Sequence, residues 1–307
     1  MAHYLVTGGC GFIGSHLVEA LLAEGHAVRI LDNLSTGKRE NVPEAAEIVI
    51  GDVADGGAVA RAMKGADGCF HLAAVASVTL SNEDWLGSHR ANLTGTIQVL
   101  EVARHASGGR PIPVVYASSA AVYGDNPNMP LAETAAIGPL TAYGADKFGS
   151  ELHARVGGLV HGVPTTGFRF FNVYGPRQDP SSPYSGVISI FVDRVGRGDP
   201  ITIFGDGSQL RDFVYVADVV AFCLKGLGQS RTHGPVYNVC TGRSVSILSL
   251  AKTLFSLFGH EVEIRFAPAR SGDIRVSVGN PELARQTLGA VAGITLAEGL
   301  GRMLAAR

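Results

Sequence analysis

The stretch TGGCGFIG, residues 7 to 14, sets glycines at Gly8, Gly11 and Gly14, behind the apolar run HYLV and ahead of SHLVEALLA. The order is strand, glycine-rich turn, helix. Side chains at such positions would hold the backbone away from a bound pyrophosphate, whereas glycine allows a tight turn and close helix–strand contact. A helix beginning near Phe12 then directs free N–H groups and the positive end of its dipole toward an anion. The spacing by itself also suits a plain tight turn, so its meaning depends on the rest of the chain.

The same alternation continues through the first part of the chain. HYLVTG, AVRILDN, AEIVIGD, GCFHLAA and PVVYASS read as strands. GSHLVEALLAEG, GAVARAMKG and HRANLTGTIQVLEVARHA read as helices, the last as one long helix. This predicts an α/β fold, a Rossmann-like doubly wound parallel sheet with helices on both faces. Past about residue 172 proline and glycine become frequent, and QDPSSPYSG, RGDPITIFGDGSQ and APARSGD read as loops. The expected division is a dinucleotide-binding domain over 1–172 and a smaller, substrate-binding portion over 173–307, with the segment around 211–240 free to rejoin the first.

Composition narrows the function classes. Hydrophobic residues make up 46%, charged residues 17%, and the net charge is −2 with no charged block. Neither nucleic acid nor an anionic membrane is implied as a partner. No apolar run reaches the length of a membrane span, about 18 residues, and a strand signal already at residue 3 leaves no room for a signal peptide. Cys10, Cys69, Cys223 and Cys240 lack CxxC or metal spacing, so they are expected reduced and buried, in a cytoplasmic protein with no metal site.

Asp32 ends the second strand. A carboxylate there can accept hydrogen bonds from a ribose diol and repel a 2′-phosphate, which favours NAD over NADP; capping the next loop is the alternative. Asp52 ends the third strand and could meet the adenine amine or merely form a turn. In TAYGADKFGSELHARV, a predicted helix, Tyr143 and Lys147 are four apart and share a face. A free phenol ionises near about pH 10 and is a poor base. An ammonium nearby, joined by an oxidised nicotinamide ring, favours the phenolate and makes a proton acceptor for an alcohol. Ser119, at the end of VVYASS, is positioned to bond both the phenol and a substrate oxygen, although a serine at a strand end is often only a turn residue.

These stretches, with LDNLSTG, NLTGT, SSAAVYG, FRFFNVYGPRQDP, IFGDGSQLRDFVYVADV, YNVCTG and ARSGDIRVS, resemble the extended short-chain dehydrogenase/reductases over nearly the whole chain. The likeness is greatest to the nucleotide-sugar 4-epimerases of the UDP-glucose 4-epimerase type, including those acting on UDP-N-acetylglucosamine. The resemblance implies Ser119, Tyr143 and Lys147 as the catalytic triad. It implies an NAD site built from Gly8, Gly11, Phe12, Ile13, Gly14, Asp32, Asn33, Ser35, Thr36, Gly37, Asp52, Val53, Leu72, Ala73, Ala74, Asn92 and Phe171, together with Tyr143 and Lys147. It implies Asn172 at the sugar or diphosphate, Arg211 and Arg270 on the diphosphate, and Asp273 on the uridine ribose. A homodimer is implied too, the Asn92 and Tyr143 helices packing on their copies. Departures are Thr141 and Ala142, where the family often has Ser or Pro, Asp146 in place of a common Ser, and Asn280 in place of a frequent Asp. Asp146 neighbours Lys147 in sequence but should face elsewhere on the helix and affect it little.

The family also hosts dehydratases and decarboxylases. Dehydratases carry an acid–base pair after the catalytic Ser/Thr, and the related decarboxylases a Glu; here Ala120 and Ala121 carry only methyl groups. The expected reaction is therefore C4 epimerisation of a UDP-hexose through a transient 4-keto sugar. Ser277 stands where glucose-restricted members have a bulky Tyr, which leaves room for a 2-N-acetyl group, so UDP-GlcNAc and UDP-GalNAc are expected substrates beside UDP-glucose and UDP-galactose. The alternatives are a UDP-uronate 4-epimerase, an ADP-heptose 6-epimerase, or a non-catalytic NAD-binding regulator.

Overall fold

The computed structural model describes residues 1–180, 186–269 and 274–306. Its central element is a seven-stranded sheet, in which every pairing is parallel. The strands are β1 (His3–Thr7), β2 (Ala27–Asp32), β3 (Glu47–Ile50), β4 (Gly68–His71), β5 (Val114–Ser119), β6 (Thr165–Phe170) and, after four short strands, β11 (Val236–Val239). Those four are β7 (Asn172–Tyr174), β8 (Ile201–Phe204), β9 (Leu210–Arg211) and β10 (Phe213–Tyr215); β12 (Val245–Ser246), β13 (Ile264–Ala267) and β14 (Val276–Ser277) complete the set.

The spatial order is β11-β6-β5-β4-β1-β2-β3. The chain winds outward from β1 one way through β2 and β3, then the other way from β4. That reversal opens a crevice at the carboxyl ends of β1 and β4, where ligands of doubly wound sheets bind. Helices α1 (Phe12–Ala23), α2 (Gly56–Met63), α3 (Val78–Glu83), α4 (Trp85–His89), α5 (Gly95–Ala103), α6 (Ala142–His161), α7 (Val187–Arg197), α8 (Val216–Leu227), α9 (Ile247–Phe258), α10 (Glu282–Leu288) and α11 (Leu296–Ala305) cover the sheets.

Strand alternation builds two cores. Val6, Ile30 and Phe70 join Leu17 and Leu21 of α1 and Val219 and Phe222 of α8. Their neighbours Leu5, Leu31 and Cys69 join Val59 of α2, Val99 of α5 and Ala154 of α6 on the other face. Residues 216–239 therefore return to this sheet, α8 packing on the α1 face and β11 extending the edge beyond β6. A third core unites Ile188 and Phe191 of α7, Leu250 and Leu254 of α9 and Leu300 of α11 with Ile201 and Ile203.

Two expectations need correction. ITIF is not loop: β8 pairs in parallel with β13, its alternating Ile201 and Ile203 buried and Thr202 exposed. Flanking Pro and Gly mask a strand of four residues. The long helix through Asn92 is also interrupted, α4 passing through a π turn at Arg90–Thr94 before α5, the kind of wider turn that re-aims side chains near functional sites. The four cysteines are free and buried.

Candidate active site

A cleft of about 680 Å³ opens at the switch between β1 and β4. All the residues expected within 8–14, 32–37, 52–53 and 72–74 border it, as do Ser119, Tyr143, Lys147, Phe171 and Asn172. Gly8 has φ +69°, and a Cβ there would come 2.7 Å from the Ala73 nitrogen, so only glycine lets β1 and β4 converge. A Cβ on Gly14 would overlap the Gly8 carbonyl oxygen, which is why α1 can begin so close to β1. Gly11, the N-cap of α1, offers no side chain to its first N–H groups. By contrast α2, α6, α9 and α11 are capped by Asp55, Thr141, Ser246 and Thr295. The uncapped donors of α1 are left for an anion in the cleft.

Asp32 is buried and caps the loop after β2. Oδ2 accepts from the Cys10 amide at 2.9 Å and Oδ1 from Leu34 at 2.8 Å, which ties the glycine turn to the loop after β2 while the carboxylate borders the cleft. Asp52 accepts from the Ala54 amide at 2.8 Å and stays on the cleft wall. Asn92 departs from expectation. It does not border the cleft; fully buried on the π turn, its Oδ1 accepts from Val75 N at 2.8 Å and its Nδ2 donates to Val75 O at 3.3 Å. It thus fixes the loop after β4, whose backbone does border the cleft.

α6 starts at Thr141, whose hydroxyl accepts from Gly144 N at 3.1 Å, so this departure from the family pattern still caps the helix. Tyr143 and Lys147 share the face turned to β5. Lys147 is 4% exposed; its ammonium donates to the Ala117 carbonyl at 3.0 Å and lies 5.8 Å from the centre of the Tyr143 ring. Burial lowers its pKa to about 8, and the Asp146 carboxylate opposes that fall. Tyr143 is raised above the ordinary phenol value by burial, and the Ser119 hydroxyl bonded to it pulls it back. Here the expectation needs correcting: in the protein alone burial outweighs the Ser119 hydrogen bond, and the phenol is raised rather than lowered. Ser119 Oγ accepts from Ala121 N at 3.1 Å, which leaves its proton for the phenol oxygen.

Asp146 does not face away harmlessly. It is 4% exposed, accepts from His89 Nδ1 at 2.8 Å across the α4–α6 contact, and its Oδ2 is buried with no hydrogen-bond partner. An ion buried this way acts on Lys147 through low dielectric even though neighbours on a helix point apart. Below Lys147, His71 of β4 bonds Thr7 Oγ1 at 2.8 Å and Thr96 Oγ1 at 3.0 Å. Burial first, then Lys147, lowers its pKa to about 3, so it is neutral and structural.

Asn172 and Phe171 border the cleft from the β6–β7 junction. Arg211 and Ser277 do not; they stand opposite each other in register, in the three-stranded sheet β12-β9-β14. Phe213, two residues after Arg211, carries the chain back to the cleft. Arg270 and Asp273 lie outside the described residues. Sequence reading missed Arg90, Gln178 and Gly186–Ile188 on the cleft wall. Gly186 is the N-cap of α7 and gives it no side-chain cap, a second open helix end. A glycine ahead of the amphipathic VISIFVDRV was the available signal.

Residues 4–240 match the model of the NAD dependent epimerase/dehydratase family. The chain belongs to that family. It is 37% identical over 306 residues to the UDP-glucose 4-epimerase of Mycolicibacterium smegmatis, covering 97% of this chain and 96% of the relative. Among solved structures it resembles the Thermotoga maritima UDP-glucose 4-epimerase with UDP-glucose, at 35% identity and a TM-score of 0.94 over 99% and 98% of the two chains. It also resembles the UDP-N-acetylglucosamine 4-epimerase of Methanobrevibacter ruminantium in complex with UDP-N-acetylmuramic acid, at 33% identity and a TM-score of 0.92 over 99% and 97%.

NAD is the cofactor of this epimerase/dehydratase, and the chain suits it. The glycine cradle admits backbone-close contact, the open end of α1 leaves donors suited to a pyrophosphate, and the carboxylate of Asp32 borders the same cleft, where it would disfavour a 2′-phosphate. Among the described residues no helix is long and apolar enough to cross a membrane.

Proposed function

We propose that this protein interconverts C4 epimers of UDP-hexoses, UDP-glucose with UDP-galactose and UDP-GlcNAc with UDP-GalNAc. The observation that carries this reading is the meeting of Ser119, Tyr143 and Lys147 at one cleft wall while Ala120 and Ala121, in the turn after Ser119, bring only methyl groups. Such a wall can move one proton at an alcohol, and it lacks the second acid–base pair a dehydration needs.

In this reading the glycine turn and α1 hold the NAD pyrophosphate, Asp32 the adenosine ribose, and Lys147 the nicotinamide ribose. NAD supplies reversible two-electron oxidation at the sugar C4 and, when oxidised, a positive charge beside the phenol. Tyr143, as phenolate, takes the proton of the 4-hydroxyl while Ser119 donates to the oxygen becoming a carbonyl. The same phenol returns the proton after the 4-keto sugar has presented its other face. The open end of α7 on the cleft wall keeps the diphosphate in place during that turn, with Arg211, Arg270 and Asp273 as the further contacts the resemblance implies; a fixed anchor leaves the sugar as the moving part. Ser277 pairs with Arg211 outside the cleft lining, and the N-acetyl reading rests on the resemblance at that position.

The test is incubation of purified protein, with no added cofactor, separately with UDP-GlcNAc and UDP-glucose, with the epimers separated by anion exchange. Conversion of both supports the reading. Conversion of UDP-glucose alone removes the Ser277 reading, and conversion of neither by NAD-loaded protein removes the UDP-hexose assignment.

The pH profile has a predictable limb. Lys147 carries its charge below about pH 8 and loses it above, so turnover should decline as pH rises through that value. Asp146→Asn removes the carboxylate that holds the charge on, and should move the decline to lower pH. An identical limb in the variant would show that Lys147 titration does not govern it.

A second copy of the chain is the proposed cover for the apolar stripe of exposed Leu152, Val156, Leu159 and Val160 on α6, beside Ile97 of α5. Light scattering should give twice the chain mass, and Val156→Glu should halve it; a monomeric wild type would rule this out.

A further inference from the structure

Three consecutive residues at the end of β5 each grip α6, at three positions spaced one turn apart. Ser119 meets Tyr143 through its hydroxyl. Lys147 Nζ donates to the Ala117 carbonyl at 3.0 Å. Ser118 Oγ donates to Glu151 Oε1 at 2.5 Å. The first two contacts belong to the reaction chemistry, and the third lies one further turn along the same face of α6.

Glu151 is buried and does not border the cleft, so it touches neither substrate nor cofactor. Its carboxylate is held from the far side by a planar fork. Arg169 Nε donates to Oε1 at 2.9 Å and Nη2 to Oε2 at 2.7 Å. Bidentate pairing fixes orientation as well as distance. Arg169 is the register partner of Ser118 in the β5–β6 ladder, so helix and both strands converge on one ion pair.

The network also reaches the other side of Ser119. Arg169 Nη1 donates to the Tyr123 hydroxyl at 2.8 Å and the Glu133 carbonyl at 3.0 Å, with the guanidinium 4.8 Å from the Tyr123 ring centre. Tyr123 closes the turn that begins immediately after Ser119, and its own hydroxyl donates to Asn238 Oδ1 of β11 at 2.7 Å. Ser119 is thus bracketed by Ser118 and Tyr123, both tied to the same Arg169–Glu151 pair.

We infer that Glu151, held by Arg169 and gripping Ser118, is a positioning residue of the reaction, setting the sideways placement of α6 on β5 and hence the distance from Tyr143 to Ser119. The inference rests on the epimerase reading above. Both hydroxyls must reach one substrate oxygen, and a displacement of about 1 Å in such an arrangement can cost about a hundredfold in rate.

The decisive variant is Ser118→Ala, which removes the grip but leaves the ion pair intact and should fold; Glu151→Gln is its companion. Wild type and variants are assayed side by side for kcat, KM, co-purified NAD and melting temperature. Tyr143 ionisation is monitored by tyrosinate absorbance, with Tyr143→Phe as the blank. Ser118→Ala is expected to lower kcat about tenfold, with KM and bound NAD within about twofold, a melting temperature within a few degrees, and a displaced Tyr143 titration. Ser118→Thr, which restores a hydroxyl, should recover most of kcat. Unchanged kcat and Tyr143 titration in Ser118→Ala, with Glu151→Gln lowering only the melting temperature, would overturn the inference and leave the network a plain stability device. A wild type inactive on both sugars would count against the epimerase reading alone, since the Tyr143 titration still decides the positioning role.

Discussion

Replacing Tyr143 by Phe should reduce turnover by about a thousandfold or more while NAD stays bound. The substitution removes one oxygen and keeps the ring, so α6 and the cleft wall are undisturbed. What is lost is the phenol that meets both Ser119 and the Lys147 side of the cleft. Ser119 would keep its acceptor role toward Ala121 and its free proton, and could still polarise the sugar oxygen. It could not accept the proton, because a neutral serine hydroxyl is far less acidic than a phenol. Burial already raises Tyr143 in the protein alone, so in the proposed mechanism the phenol accepts the proton when further positive charge is near. Measuring epimer formation, together with NAD released on denaturation, separates chemistry from binding. Turnover within tenfold of wild type would sink the assignment of Tyr143 as the base. Loss of NAD in step with activity would instead make it a cofactor-binding residue.

The parts of this site that were legible in the sequence are those where one local constraint leaves no alternative residue. Gly8 needs positive φ and a missing side chain against Ala73, and Gly14 needs room at the Gly8 carbonyl, so both announce a strand–turn–helix. Tyr143 and Lys147 announce themselves by helical spacing. The parts that were not legible depend on what lies across the fold. Asn92 could be placed on its helix, but the π turn that swings it toward Val75 rather than the cleft leaves no sequence trace. Asp146 was misjudged because neighbours on a helix point apart, while its burial against His89 of α4 is a tertiary fact. Glu151 continues the spacing of Tyr143 and Lys147, yet nothing local distinguishes it from a solvated glutamate. Its meaning comes from Arg169 on the neighbouring strand. ITIF was hidden because the partner of β8, β13, arrives some sixty residues later along the chain.

Arg169→Met should be the most destabilising single change near the site, costing about 3–5 kcal/mol. Arg169 and Glu151 are both buried, and the guanidinium supplies two of the three hydrogen bonds the carboxylate receives. Methionine matches the stem of arginine but leaves the Glu151 carboxyl buried with Ser118 as its remaining partner. It also strips a donor from Tyr123 and from the Glu133 carbonyl. For a chain of this size such a loss corresponds to a fall in melting temperature of about 5–8 °C. The ion pair itself need not be a net source of stability, because removing two charges from water offsets most of their attraction. Adding Glu151→Met to Arg169→Met should therefore recover stability, leaving the double variant more stable than the single one despite two substitutions. Denaturation of the two variants and the wild type decides this through the sign of the coupling. If Arg169→Met costs less than about 1 kcal/mol, the guanidinium is not compensating a buried carboxylate. If the double variant is weaker than Arg169→Met, the loss comes from packing rather than from an orphaned charge. Recovery of stability in the double variant without recovery of turnover would separate what the pair does for folding from what it does for the placement of Tyr143.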